Sequence, residues 1–167
     1  MIRLLVALAI TMSVTAQNEP APPVGEAPSQ PLPFSHKTHA PLGLKCLECH
    51  KTAAQSTGAG LPAESICMTC HVLIKRDSPS IQILAGFHSR KEPVPWVRLY
   101  RLPDFVYFSH KRHHGKAQIA CAACHGEVER RDVLSKAKSI GMQSCMRCHD
   151  ERKANNNCDA CHAPHPG

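Results

Sequence analysis

The sequence has few of the residues that usually build a protein interior. Aromatic residues make up 4% of its 167 residues. Small chains with so thin a core usually need covalent or metal support. The apolar run Leu4–Val14 is shorter than the about 20 residues that a membrane-spanning helix needs. No basic segment is interleaved with stacking aromatic residues, so the net charge of +7 does not indicate nucleic-acid binding.

The N-terminus has the pattern of an exported protein. Arg3 precedes the apolar run, and small residues lead to a plausible cleavage site after Ala16. This pattern predicts a secretory signal peptide over residues 1–16. The alternative is an uncleaved anchor, which the shortness of the apolar run disfavours. Residues 17–33 are rich in proline and predict an exposed, extended linker, with the ordered region beginning near Phe34.

All of the cysteines lie in Cys-x-x-Cys-His motifs, and none is left over. In this signature two thiols form thioethers to a porphyrin and the following His binds the iron. The five copies predict five covalently attached haem c groups. The predicted attachment residues are Cys46, Cys49, Cys67, Cys70, Cys121, Cys124, Cys145, Cys148, Cys158 and Cys161, and the predicted proximal iron ligands are His50, His71, His125, His149 and His162. Zinc sites and disulfide scaffolds also use paired cysteines, but neither explains a His after every second Cys.

An internal repeat divides the chain. The segment Phe34–His39 reads Phe-Ser-His-Lys-Thr-His and recurs as Phe-Ser-His-Lys-Arg-His over Phe108–His113. Each copy precedes a Cys-x-x-Cys-His motif by about the same distance, which indicates duplication of one structural unit. We therefore predict a two-haem module over residues 34–90 and a three-haem module over residues 108–167.

The segment between the modules, residues 91–107, contains three prolines and predicts an extended connector. Trp96 and Tyr100 in this connector either cover a haem edge or serve as plain packing residues, and Trp96 is expected to be mostly buried. Short helices are plausible over residues 62–76, 79–89 and 128–149. The predicted fold is therefore mostly irregular, with short α-helices, little or no sheet, and the haem stack as the core.

The spare histidines supply candidates for the second axial position of each iron. Two His three residues apart lie near each other on a helical turn. The order Phe-x-His-x-x-His followed by haem motifs resembles the small multihaem cytochromes of the cytochrome c3 and cytochrome c7 group, the class III type. The resemblance implies that the first His binds the iron of the next motif and the second His that of the motif after it. It pairs His36 with His50, His39 with His71, His110 with His125, and His113 with His149.

The resemblance leaves the fifth motif without a histidine partner. The position three residues before the fourth motif, which holds a His ligand in cytochrome c7, is Met142 here. A thioether is a competent axial ligand and raises the potential relative to two His ligands, so Met142 ranks first. Ordinary packing is the alternative role for Met142. His88, His114 and His165 are the other candidates for this position.

Several further segments resemble the pentahaem cytochrome subunit of alternative complex III, over roughly residues 32–162. They include Val94–Arg98, the stretch Leu102–His110 and the run Cys124–Glu129. This resemblance implies an exported, periplasmic electron carrier next to the inner membrane. Its implied partners are redox proteins such as iron–sulfur and quinol-binding membrane subunits, and any membrane association would be through those partners.

We expect the chain to be an electron-transfer protein without catalytic residues. Two alternatives stay open: a soluble shuttle outside any complex, and a multihaem reductase of a small oxyanion. A reductase needs an iron with an open site, whereas the chain has enough His and Met to close all of the sites. The sequence also lacks a Cys-x-x-Cys-Lys motif, which resembles the catalytic site of pentahaem nitrite reductases.

Overall fold

The computed structural model describes residues 24–163. The predicted signal peptide, the first part of the predicted linker and His165 lie outside the described residues. Between residues 24 and 163, every helix falls short of the length and apolar character needed to cross a bilayer. The β-structure in this part of the chain is one isolated bridge between Val24 and Lys136, so the prediction of a helical and irregular fold is confirmed.

The helices are short and most of them carry a Cys-x-x-Cys-His motif. In chain order they are α1 (His36–His39), α2 (Cys46–Cys49), α3 (Glu64–His71), α4 (Pro79–Arg90), α5 (Ala122–His125), α6 (Met142–Glu151) and α7 (Asp159–His162). A π-helical turn spans Lys111–Lys116, and 3₁₀ turns span Ala40–Leu42 and Val128–Arg130. The second and fourth motifs lie in the longer helices α3 and α6, whereas the first, third and fifth lie on single turns.

Helix α4 is the longest helix in the part of the chain that the structure describes, and it carries no motif. Pro79 lies in the first turn, where its fixed φ angle suits a helix. Its lack of an N–H costs nothing there, because an N–H at that position has no acceptor within the helix. The helix ends where Lys91 adopts a left-handed conformation with φ of 55°. The amide of Glu92 then bonds back to the carbonyl of Phe87 at 3.0 Å, which closes the C-terminus.

The protein interior is as thin as the composition indicates. Among residues 24–163 the buried apolar side chains are Leu32, Ala53, Leu84 and Val94. Leu32, Leu84 and Val94 form a cluster against which Cys67, Met68, Ile81, Phe87 and Trp96 pack. Side chains as large as Leu73 and Phe105 are exposed. A chain with so few buried residues cannot form a conventional core of side chains. A thin core of this kind is expected of a fold in which haem groups take the place of buried side chains.

Two details differ from the sequence expectations. Leu32 belongs to the segment predicted to be an exposed linker, yet it is 5% exposed, and the amide of Gln30 bonds to both backbone groups of Val97. The helix predicted over residues 128–149 is wrong in its first two thirds. The chain leaves the 3₁₀ turn at Arg131, which is extended, and helix α6 begins only after Gly141.

Candidate haem-binding sites

The turn that holds His36 and His39 is organised by the two residues that precede it. The hydroxyl of Ser35 accepts the Thr38 amide at 3.0 Å and caps helix α1. The carbonyl of Ser35 accepts the Nδ1–H of His39 at 2.8 Å. The Phe34 ring stacks on His39 at 4.5 Å and meets His36 edge-on at 4.8 Å. The segment Phe34–His39 forms one unit, which we call the first ligand turn, and the Phe34 ring contacts both of its imidazoles.

The second ligand turn, Phe108–His113, repeats this arrangement. His113 donates from Nδ1 to the Ser109 carbonyl at 2.9 Å, and the Ser109 hydroxyl accepts the Arg112 amide at 3.3 Å. Phe108 stacks on His113 at 4.4 Å and meets His110 edge-on at 4.9 Å. The sequence repeat is therefore a structural repeat of one ligand-presenting device.

Most of the candidate ligands share one tautomer. A carbonyl oxygen only accepts, so an imidazole whose Nδ1 contacts a carbonyl carries its proton on Nδ1 and leaves the Nε2 lone pair for a metal. The hydrogen bond from Nδ1 to the carbonyl also fixes the orientation of an imidazole that binds a metal through Nε2. The Nδ1 contacts are His39 to Ser35, His50 to Gly60, His71 to Ile74, His110 to Thr57, His113 to Ser109, His149 to Asn155 and His162 to Phe105, at distances from 2.7 to 3.1 Å.

Three of the predicted ligand pairs face each other. Ring centroids are 6.2 Å apart for His39 and His71, 6.4 Å for His110 and His125, and 6.0 Å for His113 and His149. A transition metal binds imidazole nitrogen at about 2.0 Å, so rings on opposite sides of one iron have centroids about 6 Å apart. The residues present therefore fit an iron with two axial histidines.

The predicted pair of His36 and His50 has a different environment. The Nδ1 of His36 is buried and has no hydrogen-bond partner. Burial lowers the pKa of His36, and the nearby His50 and His39 lower it further. An imidazole held neutral in this way is in the form that binds a metal. His36 and His50 therefore interact, but His36 lacks the carbonyl acceptor that its repeat equivalent His110 has in Thr57.

Burial also acts on other groups of the candidate sites. It lowers the pKa of His113 and of His125, which favours the neutral ligand form of both. It raises the pKa of the Cys67 thiol, with Cys49 as a charged neighbour, and the pKa of the Cys145 thiol, with Cys161 as the first of its charged neighbours. The Cys67 and Cys145 thiols are therefore influenced electrostatically by thiols of other motifs.

Within the described residues the cysteines form neither a disulfide nor a cluster with the geometry of a zinc site. All of them lie within the described residues as free thiols. In the same part of the chain, no three His, Cys, Asp or Glu side chains converge in the manner of a zinc site. The arrangement that the cysteines do have is one helical turn per motif, with the His at or next to its end.

The fifth motif is anchored to the end of the connector. His162 donates from Nδ1 to the Phe105 carbonyl at 3.1 Å and stacks on the Phe105 ring at 6.0 Å. The Tyr107 amide bonds to the Cys161 carbonyl at 2.8 Å. The fifth motif therefore lies against the end of the connector, immediately next to the second ligand turn.

The candidates for the sixth ligand of the fifth motif lie in different places. Met142 is the first residue of α6 and is 67% exposed. His88 contacts Glu64 of α3 at 3.5 Å, next to the second motif. His114 is half-buried and bonds through Nδ1 to the Ile119 carbonyl at 3.0 Å. The assignment of Met142 stays a prediction.

In the connector, Tyr100 contacts the third motif more directly than Trp96 contacts any motif His. The Tyr100 ring meets His125 edge-on at 4.7 Å, and its hydroxyl accepts the Ala137 amide at 2.9 Å. Trp96 is only half-buried, and it meets Phe34 edge-on at 6.4 Å while packing against the apolar cluster.

Comparison with known proteins agrees with this geometry. A family model described as the class III cytochrome c family matches residues 11–98, which is more than half of the chain. The chain belongs to the class III cytochrome c family. A second model, described as cytochrome c7 and related cytochrome c, matches residues 106–163. The chain is thus a multihaem c-type cytochrome with covalently bound haem, a class of electron-transfer protein.

A curated relative of this cytochrome is the multiheme cytochrome MtrA of Shewanella baltica (strain OS185). The two are 29% identical over 152 residues, which cover 74% of this chain and 36% of the relative. The cytochrome therefore spans about a third of the length of the curated relative that it matches.

Sequence reasoning about this cytochrome missed the residues that hold the ligands in place. The sequence marks Phe34 and Phe108 only as part of a repeat, although the repeated Phe-Ser before each His pair is a usable signal. The carbonyls of Gly60 and Asn155 left no such signal, because any residue supplies a backbone acceptor.

Proposed function

We propose that the cytochrome carries five haem c groups and relays electrons between two redox partners. Bound haem c supplies a one-electron carrier whose potential depends on its axial ligands and burial. The observation that carries the proposal is the set of opposed imidazole pairs near 6 Å, each anchored on one or both rings through Nδ1. Six-coordinate iron with two fixed axial ligands suits electron transfer better than ligand chemistry.

The haem count is tested on the mature protein by intact-protein mass spectrometry and by quantitative haem absorbance. We expect a mass gain of five haem groups in the wild type and four in the double variant Cys158→Ser/Cys161→Ser, which removes only the last attachment site. The same experiment locates the N-terminus and thus tests cleavage after Ala16. A wild-type protein with fewer than five haems refutes the count.

We assign Met142 as the sixth ligand of the iron at His162. Helix α6 begins at Met142, and the thiol of Cys145 on that helix neighbours Cys161 of the fifth motif. By contrast, His88 contacts Glu64 beside the second motif. The oxidised protein should show the sulfur-to-iron charge-transfer absorption of a thioether ligand. Met142→His should abolish this absorption and lower the highest potential, whereas the control Met146→Leu in the same helix should change neither.

We place the cytochrome in the periplasm, as part of a respiratory chain between a quinol-oxidising membrane complex and a downstream acceptor. The apolar run near the N-terminus and the similarity to an exported-type multihaem family support this placement. The test is affinity purification from the native membrane fraction. Recovery with iron–sulfur and quinol-binding subunits supports complex membership, whereas recovery only as a soluble monomer supports a free shuttle.

The second candidate function is a reductase of a small oxyanion, which needs an iron with an exchangeable site. The paired imidazoles disfavour it. The distinction rests on carbon monoxide binding by the reduced native protein. We expect slow or no binding, and rapid stoichiometric binding at one haem would favour the reductase.

A further inference from the structure

The two ligand turns each bind the opposite half of the molecule. In the second ligand turn, the amides of His110 and Lys111 bond to the carbonyls of Thr57 and Ser56, at 3.0 and 2.8 Å. Thr57 and Ser56 lie in the loop that follows the first motif. The second ligand turn therefore rests against the first motif of the other module.

The reciprocal contact involves the equivalent residue of the first ligand turn. Lys37, which corresponds to Lys111 in the repeat, bonds through its amide to the carbonyl of Arg131 at 3.0 Å. Ser35 adds a bond from its hydroxyl to the Asp132 carboxylate at 2.7 Å. Arg131 and Asp132 follow the third motif, as Ser56 and Thr57 follow the first. The two halves thus exchange the same kind of contact.

Equivalent residues also meet directly at the centre. Cys46 and Cys121, the first cysteines of the first and third motifs, are neighbours, and the Cys46 thiol helps to raise the pKa of the Cys121 thiol. His50 and His125, the iron-binding residues of the same two motifs, are electrostatic neighbours. Contact between a residue and its own repeat equivalent is the sign of an approximate two-fold axis. The first and third motifs therefore lie next to each other at the centre of the exchanged contacts.

The remaining motifs contact these two central motifs on either side. His36 and His39 share one turn and interact with the first and second motifs, respectively. On the other side, the Lys138 ammonium bonds to the Ala123 carbonyl at 2.7 Å and ties the third motif to the segment that leads into α6.

The fifth motif contacts the fourth through the loop that joins them. The Asn156 amide bonds to the Met146 carbonyl at 2.9 Å, so the loop before the fifth motif folds back on the fourth. The Cys145 and Cys161 thiols are neighbours across this contact.

We propose that the five motifs follow one another in space in the order second, first, third, fourth, fifth. This order differs from the order in the sequence, because the chain runs out to the second motif and returns through α4 and the connector to the centre. Taken with the proposed relay, on which this part rests, the order makes the second and fifth motifs the ends at which electrons enter and leave. The first and third motifs become interior carriers.

The order is tested first by position, without reference to electron transfer. Anomalous scattering from iron in crystals of the mature protein locates each iron, and the attached motif identifies it. We expect the iron at His50 to lie nearest to the irons at His71 and His125, with the irons at His71 and His162 farthest apart. An iron at His71 that lies between those at His50 and His125 overturns the proposal, even if the protein relays electrons efficiently.

A second test measures coupling between neighbours in solution. Exchanging His39 for Met raises the potential of the haem at the second motif, because thioether ligation raises potential relative to imidazole. Electrostatic coupling falls with distance, so the potential of the haem at the first motif should shift more than that at the third. Stepwise oxidation followed by NMR of the haem methyl groups resolves the individual shifts.

The matched variant His113→Met alters the second His of the other ligand turn. Besides the haem at the fourth motif, which His113 would ligate, the haems at the third and fifth motifs should show the largest shifts in potential. A larger shift at the third motif than at the first in His39→Met contradicts the order. Failure of relay kinetics with these shifts intact would contradict only the proposed function.

Discussion

Replacing Gly115 with Ala tests whether the second ligand turn lies against the first module. A Cβ at this position would overlap the carbonyl oxygen of Ala54 and lie 3.2 Å from its carbonyl carbon. Both atoms belong to the backbone, so no side-chain rotation relieves the overlap. The glycine is required here by close approach, because its backbone angles are ones that alanine can adopt.

The size of the effect follows from two opposing terms. Overpacking that forces a backbone shift costs about 1–3 kcal/mol. Alanine favours the helical conformation over glycine, which offsets this cost by at most about 1 kcal/mol of unfolding free energy. We therefore expect the free energy of unfolding to fall by about 1–2 kcal/mol, which lowers the melting temperature by about 2–8 °C for a chain of this size.

The assay is thermal unfolding of the mature protein followed by circular dichroism, with haem content measured in parallel. The control is Gly58→Ala, one residue beyond Thr57 in the same loop, where a Cβ would meet nothing within 4 Å. The control should leave the melting temperature unchanged or slightly raised. Equal melting temperatures for Gly115→Ala and wild type would refute the packing of the second ligand turn on residues 54–57.

Three further changes probe the surroundings of the ligand pairs. Tyr100→Phe leaves the Ala137 amide without its acceptor and should cost about 1–3 kcal/mol of unfolding free energy in a denaturant titration, with haem content unchanged. The Ser35 hydroxyl and the Lys37 ammonium lower the pKa of the Asp132 carboxyl. Its contribution to stability is therefore present above the unfolded-state pKa and is lost as pH falls through the lower folded-state pKa. The melting-temperature gap between wild type and Asp132→Asn should narrow toward acid pH, and a constant gap would argue against this bond. Chain produced without haem attachment should show little helix by far-ultraviolet circular dichroism, and a native-like spectrum would contradict the haem-based core.

The sequence indicates which side chains come together more fully than it indicates the path of the chain between them. The resemblance to multihaem cytochromes implies the pairs His39–His71 and His113–His149, and the structure brings the rings of each pair to about 6 Å. The irregular path between Arg131 and Gly141 was not predictable, because no periodic apolar pattern distinguishes it from helix. Leu32 was missed because a proline-rich segment is usually exposed, whereas here it packs beside the connector.

The contacts between modules were beyond sequence reasoning for a different reason. Lys37 and Lys111 make them through backbone amides, whose bonding does not depend on the side chain. A sequence repeat indicates two related segments, but it does not indicate how they pack, because the contacts between them are made by backbone groups.

The exchanged contacts of the two ligand turns give the connector a particular role. Each half carries both the donor turn and the acceptor loop, which is the surface a protein uses to pair with a second copy of itself. The connector over residues 91–107 then acts as a tether that raises the effective concentration of one half near the other. Cutting the connector would end the covalent link between the halves and leave the bonds of Lys37 and Lys111 available. The two separate halves should then reassociate in a concentration-dependent manner.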